Sequence, residues 1–195
     1  CLAAVVPATL AAAERPAMRK PIMVWDGESA ATGDGWAKAG GDRPASIAAG
    51  AGEAASGTTA LRLHLEGEHW VRGGWRWVKP DSNVGFNAKP FAFFYFVMKT
   101  AKAQMMPEDI AIQLVASGPD GARQEGPAVN LSAIAPKALG GGKAWIEIAI
   151  PVAALTAARE FDATNVTEVM FVANGGKAMH CDLVIDNIGF AKGQK

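Results

Sequence analysis

An aromatic and basic segment over residues 69–78, His-Trp-Val-Arg-Gly-Gly-Trp-Arg-Trp-Val, carries three of the six tryptophans in the 195-residue chain. Aromatic planes pack against the apolar faces of sugar rings, while basic and amide side chains bond to the surrounding hydroxyls. The segment therefore has the composition of a sugar-binding surface. It interleaves Trp70, Trp75 and Trp77 with His69, Arg72 and Arg76.

The spacing within this segment divides its residues between two faces of a strand. Trp75 and Trp77 are two positions apart and share one face, while Arg72 and Arg76 share the opposite face. A β-bulge at Gly73-Gly74 would bring all four to one side, so we predict Trp75, Trp77 and Arg72 as carbohydrate-binding residues. The alternative is that one or both tryptophans fill the core.

Two other strands add polar side chains to the predicted site. Over residues 60–65 the leucines alternate with Arg62 and His64, and over 110–116 Gln113 points away from an isoleucine and leucine face. If these polar faces belong to the sheet that binds the ligand, Gln113 and His64 line a groove with the tryptophans. If they belong to the other sheet, they are only solvated.

The apolar run 183–190, Leu-Val-Ile-Asp-Asn-Ile-Gly-Phe, holds a single acidic residue, Asp186. Burying a lone charge costs several kcal/mol unless the charge is paired or hydrogen-bonded. Asp186 must therefore face a cation or accept backbone N–H bonds where the strand closes the domain.

Several function classes are disfavoured by composition and motif. The chain has 19 basic and 19 acidic residues and no cluster of Lys or Arg, which disfavours a nucleic-acid partner. The close carboxylates Glu66 and Glu68 are typical of a solvated turn, the histidines are scattered, and no nucleophile elbow or phosphate loop is present. We therefore expect a protein that is not an enzyme.

The first twenty residues differ in composition from the rest. An uncharged apolar stretch over 1–13, too short to span a bilayer, has the size of a signal-peptide h-region and ends in an Ala-x-Ala pattern. Residues 1–20 are interpreted as part of a signal peptide, as a lipoprotein segment with acyl chains on Cys1, or as a segment that packs on the domain. The first two predict export to the periplasm, cell surface or medium, with membrane contact only through a lipid anchor at Cys1.

The remaining residues, 21–195, predict one all-β domain. Short runs with period two recur between turns rich in Gly (22) and Pro (11), giving roughly nine to eleven strands at the spacing of a sandwich or jelly roll. We predict a two-sheet β-sandwich with at most one short helix, near 152–159. Cys181 lies in a strand-like run and is expected to be a small buried hydrophobe.

The order of these segments resembles the galactose-binding-like jelly roll of carbohydrate-binding modules attached to bacterial glycoside hydrolases. The resemblance covers about residues 22–190, and its most specific part is the closing strand with Asp186-Asn187. The other matching segments are Val24 to Glu28, Gly35-Trp36, Gly57 to Leu63, 91–98, Pro107 to Leu114, Trp145 to Pro151 and Val166 to Phe171.

This resemblance implies a structural calcium ion where the first and last strands meet, held by Asp186 with Glu28 or Asp26. Calcium prefers six to eight oxygen ligands, which strand-end carboxylates and backbone carbonyls can supply in part. The alternative without a metal ion is that Asp186 accepts backbone N–H bonds. No His or Cys cluster suggests zinc.

Three hypotheses for the function follow. The leading one is an exported, non-catalytic module whose partner is a poly- or oligosaccharide bound on one sheet face. The second is a structural or assembly subunit that uses the same fold among other extracellular or lipoprotein subunits and binds no sugar. The third is a sandwich-fold glycanase or lyase.

Overall fold

The computed structural model describes residues 17–28, 34–39, 45–51, 54–67, 71–78, 84–100, 103–105, 110–135, 138–140, 144–173 and 179–194. Among these residues, none of the helices has the length and apolar character needed to cross a membrane. A 3-10 helix covers Leu131–Ala133, and the α-helix α1 covers Val152–Thr156. The strands are β1 (Ile22–Trp25), β2 (Asp34–Ala39), β3 (Ala45–Ala51), β4 (Thr59–Gly67), β5 (Val71–Arg76), β6 (Phe93–Lys99), β7 (Ala103–Met105), β8 (Ile110–Ser117), β9 (Arg123–Glu125), β10 (Val129–Asn130), β11 (Ala138–Gly140), β12 (Ile146–Pro151), β13 (Val166–Ala173) and β14 (Met179–Ala191).

The strands form two antiparallel six-stranded sheets. Sheet I has the order β12-β6-β14-β4-β3, with β1 also pairing with β14. Sheet II has the order β10-β8-β13-β5-β2, with β9 also pairing with β8, and β7 pairs with β11 separately. This architecture confirms the predicted all-β, two-sheet sandwich.

Alternating side chains place the core between the two sheets. In β4, Leu61 and Leu63 are buried in that core while Arg62 points outward and is exposed. Strand β6 lies between β12 and β14, and both of its faces are buried, as its apolar sequence predicts. Each large apolar side chain removed from water in this way contributes about 1.5–3 kcal/mol.

Aromatic contacts join the sheets across the core. Phe96 of sheet I meets Phe171 of sheet II edge to face, with ring centroids 6.4 Å apart and planes at 90°. Phe94 contacts Phe190 within sheet I at 5.3 Å. Cys181 is buried in the same cluster with a free thiol, which confirms the role expected for it.

Strand β14 occupies the middle of sheet I and changes partner along its length. Its first part, Met179 to Ile185, pairs with β4, and its later part, Ile188 to Phe190, pairs with β1. The register against β6 shifts between Asp186 and Gly189, where Asn187 has a φ of 54°. The closing strand was predicted from 183 and begins four residues earlier, at Met179.

Three details differ from the sequence prediction. Helix α1 is five residues long, shorter than the predicted 152–159. The strands β7, β9, β10 and β11 were not predicted, because two or three residues are too few to show a period. The predicted bulge at Gly73-Gly74 is wrong, since β5 pairs with β13 in continuous register from Arg76 to Val71.

The last residues of the predicted 1–20 segment pack beside the end of the described chain. Met18 forms a β-bridge with Gly193, and the backbone N–H of Arg19 donates to Lys192 at 2.8 Å. The rest of that segment, including Cys1, lies outside the described residues.

Candidate functional site

The outward side of sheet II carries a mixture of aromatic, charged and amide side chains. Because Trp75, Leu114 and Phe171 point into the core, their strand neighbours point away from it. We call the outward residues the Trp36 face. Its members are Trp36 of β2, Arg72, Gly74 and Arg76 of β5, Gln113 and Val115 of β8, Arg123 and Glu125 of β9, and Glu168, Met170 and Val172 of β13.

A glycine on the neighbouring strand makes room for the indole of Trp36. Trp36 and Gly74 are opposite each other in the pairing of β2 with β5. A Cβ atom at Gly74 would lie 2.5 Å from Nε1 of Trp36 and 2.2 Å from Oε1 of Glu168. The absence of a side chain at Gly74 therefore allows Trp36 to lie against the strand beside it.

Two charged residues fix the position of this indole. Nε1 of Trp36 donates to Oε1 of Glu168 at 2.7 Å, and Arg123 binds the same carboxylate in bidentate fashion at 2.8 and 3.1 Å. The Arg123 guanidinium also lies over the Trp36 ring, 5.3 Å from its centroid. Cation–π attraction and the shared carboxylate together hold the three side chains as one unit.

The charges of this unit are balanced although Glu168 is almost fully buried. The Glu168 side chain is 3% exposed, whereas that of Arg123 is 43% exposed. Burial acts to lower the pKa of Arg123, but its bonds to Glu168 and Glu125 outweigh burial and leave that pKa above its ordinary value. A buried carboxylate that accepts three N–H bonds is compensated rather than reactive.

Small apolar side chains form the floor beneath the unit. Val115, Met170 and Val172 are buried in a cluster separate from the main core, and Trp36 packs against it. The sulfur of Met170 also accepts a contact from Nη2 of Arg123 at 3.5 Å. Sheet II is thus buried on both sides at this point, with Trp36 partly exposed above it.

Two of the predicted binding residues lie on the Trp36 face. Nη1 of Arg72 is 3.7 Å from Oε2 of Glu125, an ion pair without a hydrogen bond, and the Arg72 side chain is 40% exposed. Gln113 points away from its apolar neighbours as predicted, and its Nε2 donates to the carbonyl of Gly126 at 2.7 Å. Arg72 is therefore available to a ligand, while Gln113 holds the segment that follows β9.

The sugar-stacking role predicted for Trp75 and Trp77 is wrong. Both side chains are buried in the core, at 4% and 6% exposed, so neither offers a ring face to a ligand. Trp75 meets Trp25 edge to face at 5.4 Å, and Nε1 of Trp77 donates to the carbonyl of Val166 at 3.2 Å. The alternative that they fill the core is confirmed, while His69 and Trp70 fall outside the described residues.

His64 is on the other side of the molecule from the Trp36 face. It points outward from sheet I, where its Nδ1 is 2.5 Å from Oδ1 of Asp182. Because the sandwich separates the outer faces of its two sheets, His64 does not share a site with Arg72 and Gln113. His64 and Gln113 therefore do not line one groove, and His64 fits the alternative of a residue on the outer face of the other sheet.

The predicted metal ligands come together near the point where β14 changes partner. Oδ2 of Asp186 accepts N–H bonds from Ala55 at 2.8 Å and Ser56 at 3.1 Å, and Oδ1 accepts one from Asn187 at 2.7 Å. Burial raises the pKa of Asp186 above its ordinary value, while these N–H bonds act in the opposite direction. Accepting backbone N–H bonds was the alternative to metal binding, and Asp186 does so.

The neighbouring carboxylates belong to the same region. Oε1 of Glu28 accepts N–H bonds from Thr58 at 2.6 Å and Thr59 at 3.1 Å, which lowers the pKa of Glu28. Oδ1 of Asp26 accepts from the N–H of Glu28 at 3.1 Å. Between them Gly27, at a φ of 82°, has no room for a Cβ, which would lie 1.9 Å from the carbonyl oxygen of Thr59.

The carboxylates of this region are only part of the set of six to eight oxygens that calcium prefers. Within the described ranges, no group of three or more His, Cys, Asp or Glu residues is placed to hold a metal ion. Both oxygens of Asp186 and Oε1 of Glu28 accept N–H bonds, and Oε2 of Glu28 accepts from the hydroxyl of Thr58 at 3.3 Å. The calcium ion implied by the resemblance stays a prediction.

Trp36 is the functional candidate that the sequence did not reveal. It lies in the short run Asp-Gly-Trp-Ala-Lys-Ala, which has little apolar alternation, and its partners are 38 to 132 positions away in the chain. The one sequence signal is Gly74, since a glycine inside a strand often marks a close approach by another group.

Comparisons with known proteins find similarity in structure and none in sequence. No protein-family model matches the chain, and no curated protein matches it in sequence. In structure it is similar to the family 11 carbohydrate-binding module of Clostridium thermocellum in complex with a β-1,3-1,4-mixed-linked tetrasaccharide. That match has a TM-score of 0.57 and 13% identity, and covers 92% of this chain and 96% of that one.

Two other solved structures share the architecture. The family 30 module of a cellulosomal cellulase of Clostridium thermocellum matches with a TM-score of 0.60 and 16% identity, over 83% of this chain and 92% of that one. A β-1,2-glucanase from Parabacteroides distasonis matches with a TM-score of 0.64 and 12% identity, over 92% of this chain but 26% of the enzyme. At these identities the likeness establishes a shared fold, the jelly-roll sandwich that the sequence predicted.

Proposed function

We propose that the protein is an exported, non-catalytic module that binds a poly- or oligosaccharide on its Trp36 face. The observation that carries the proposal is the fixed, partly exposed indole of Trp36, held against Gly74 by Glu168 and Arg123. An aromatic ring at the surface with hydrogen-bonding groups beside it suits a sugar, which presents apolar C–H faces and polar hydroxyls at once.

The rigidity of this unit favours binding. A side chain already fixed in one rotamer loses little conformational entropy when a ligand arrives, and each flexible side chain would otherwise cost about 0.5–1.5 kcal/mol. Trp36 is fixed by a hydrogen bond, a cation and an apolar floor. Arg72 lies on the neighbouring strand and is partly exposed, and its Nη1 is 3.7 Å from Oε2 of Glu125, beyond hydrogen-bond distance. Its donors can therefore reach a hydroxyl.

The structural neighbours support a carbohydrate ligand. Two of them are carbohydrate-binding modules, one in complex with a tetrasaccharide. The sequence resembles modules that are attached to bacterial glycoside hydrolases. This resemblance supports export of the protein. The glucanase neighbour keeps the enzymatic alternative open to experiment.

The carboxylates of the Trp36 face do not suit catalysis. Glycoside hydrolysis needs a proton donor and a second carboxylate that acts on the sugar. Glu168 is buried and accepts bonds from Trp36 and Arg123, so it has no free position from which to donate a proton. Glu125 is bonded to Arg123 at 3.4 Å. The face is therefore assigned to binding.

A structural or assembly subunit is the second candidate. The burial of Trp75 and Trp77 favours it, because the sequence-based case for sugar binding depended on these two residues. Trp36, which is partly exposed, is the aromatic residue that the outward side of sheet II presents among the described residues. The two candidates now differ on whether Trp36 binds a ligand.

Binding should be measured on a glycan array and then by calorimetry with the best glycan. We expect Trp36→Ala to abolish binding, because the stacking plane is lost, and Trp36→Phe to retain part of it. Trp145→Ala is the matched control, since Trp145 is also partly exposed but contacts Lys99 of sheet I, 4.8 Å from its ring centroid. Binding that survives in Trp36→Ala, or an array with no response, would favour the structural subunit.

A further inference from the structure

Two arginines lie on either side of Trp36 along one strand. Arg72, Gly74 and Arg76 share the outward face of β5, and the Trp36 indole lies against the glycine between them. The Cα atoms of the two arginines are four residues apart, or about 13 Å along an extended strand. A ligand that passes over Trp36 can therefore meet a guanidinium on each side of the ring.

Arg72 and Arg76 have fewer hydrogen-bond partners among the described residues than Arg123 has. Arg123 gives its N–H groups to Glu168, Glu125 and the sulfur of Met170. Within the described ranges, the polar contact of the Arg72 guanidinium is the 3.7 Å ion pair with Glu125. The Nε of Arg76 is buried and has no hydrogen-bond partner among the described residues. That atom has no accessible surface, so a ligand would meet the terminal nitrogens of Arg76, a residue that is partly exposed.

We propose that the ligand is an acidic glycan, whose uronate carboxylates are bound by Arg72 and Arg76 while a sugar ring between them packs on Trp36. This inference rests on the proposed carbohydrate-binding function and narrows it to a class of ligand. A guanidinium presents N–H groups in a planar fork that matches the two oxygens of a carboxylate, which a neutral hydroxyl cannot match.

The charges around Arg72 and Arg76 include acidic residues, so a ligand is recognised by direct contact with the arginines. Asp34 is opposite Arg76 in the strand pairing, and Glu125 is beside Arg72, so the face is not uniformly basic. A polyanion is therefore selected by aligned donors at two positions and not by a strong field over the whole surface.

The test compares one polymer in two charge states. Binding to polygalacturonate should be at least about tenfold tighter than binding to the same polymer with its carboxyls methyl-esterified. A charge-assisted bond is stronger than a neutral one, and the gains at Arg72 and Arg76 together need only reach the about 1.4 kcal/mol that a tenfold change requires. Alginate and its esterified form provide a second pair. Affinity for the acid forms should fall as salt rises.

Variants of the arginines test the residues. Arg72→Gln and Arg76→Gln should each weaken binding to the acid polymer about tenfold and binding to the ester by clearly less, and Arg76→Lys should recover part of the loss. Arg62→Gln is the matched control, because Arg62 is an exposed arginine on the outer face of sheet I. Thermal melting of each variant checks that the fold is retained.

The outcomes distinguish a wrong ligand class from a wrong proposed function. Equal binding to acid and ester, or binding to neutral mixed-linkage β-glucan alone, overturns the acidic ligand and leaves carbohydrate binding in place. No binding to any acidic or neutral glycan overturns the proposed function itself. If Arg76→Gln fails to fold, Arg72→Gln and the acid and ester comparison on the unaltered protein still decide the question.

Discussion

Nε1 of Trp36 donates a 2.7 Å hydrogen bond to Oε1 of Glu168, a residue 132 positions away in the chain. The bond joins an edge strand of sheet II to its central strand β13, across the glycine of the strand between them. It fixes the one aromatic ring that the outward side of sheet II presents among the residues described. The orientation of this ring therefore depends on a carboxylate and a glycine that do not themselves need to touch a ligand.

Replacing Glu168 should loosen the site and destabilise the fold. In Glu168→Gln the charge that balances Arg123 is lost, and one N–H bond of the bidentate pair has no acceptor. We expect a loss of about 1–3 kcal/mol in the free energy of unfolding. The loss is smaller than for a fully buried ion pair because the Arg123 side chain is partly solvated. Urea denaturation measures it. The control is Glu125→Gln at the exposed rim, which should change stability by less than about 0.5 kcal/mol, and equal losses in both variants would contradict the assignment.

Adding one methyl group at Gly74 should displace Trp36. A Cβ there would lie 2.5 Å from the indole nitrogen, so Gly74→Ala should weaken glycan binding by about tenfold or more and cost about 1–3 kcal/mol in stability from overpacking. Gly50→Ala is a matched control on β3, where the nearest side-chain atom to the new Cβ is 3.7 Å away. Unchanged binding in Gly74→Ala would show that the placement of Trp36 is not needed.

Trp75 should behave as a core residue. Trp75→Ala removes a buried indole that packs on Trp25, and we expect it to cost about 3–5 kcal/mol in the free energy of unfolding. Chemical denaturation gives this value directly, and any glycan affinity should persist in the fraction that remains folded. If the Trp75→Ala protein were as stable as the unaltered one and had lost only its ligand binding, Trp75 would be a binding residue and its assignment to the core would be wrong.

The stability contributed by Glu28 should depend on pH. N–H bonds from Thr58 and Thr59 lower the pKa of Glu28 in the folded protein below its ordinary value. The contribution is therefore fully present above the unfolded pKa and is lost as pH falls through the folded one. The difference in denaturation midpoint between the unaltered protein and Glu28→Gln should be larger at pH 7 than at pH 3. The same comparison for Glu160→Gln, an exposed glutamate, is the control, and a Glu28 difference that persists at pH 3 would contradict the prediction.

Calcium should be tested through the melting temperature. A cation that binds only the folded state raises the melting temperature as its concentration rises. If calcium binds near Asp186, the metal-free protein should gain stability on titration, and Asp186→Asn should lose that gain. Magnesium at equal concentration controls for ionic strength. A flat titration, with removal of metal confirmed beforehand, would mean that N–H donors alone satisfy these carboxylates.

The fold was predictable because its signals are local. The alternation of Leu61 and Leu63 with Arg62 identifies a strand with one buried face, and the unbroken apolar run of β6 identifies a central strand. The order of such segments then resembles one known architecture. Strands such as β9 and β10, with two or three residues each, give no period and were missed.

The site was less predictable because it depends on pairing across the sheet. The sequence shows that Trp75 and Trp77 share a face and that Arg72 has the opposite one, but not which of these faces meets the core. It also does not show that Trp36 lies opposite Gly74, since register is set by packing between strands distant in the chain. Arg72 and Gln113 were therefore recognised as surface residues, while the binding role given to Trp75 and Trp77 was wrong and Trp36 was not predicted as a binding residue.

The central position of β14 in sheet I has a consequence for how the domain is made. This strand lies between β6 and β4, yet it follows every other strand that the structure describes. On a ribosome the nascent chain would hold β6 and β4 with unpaired inner edges until β14 emerges, and such edges invite pairing with other chains. Completion of sheet I is thus a late and non-local step, which favours slow folding and a need for protection from aggregation before the final strand is in place.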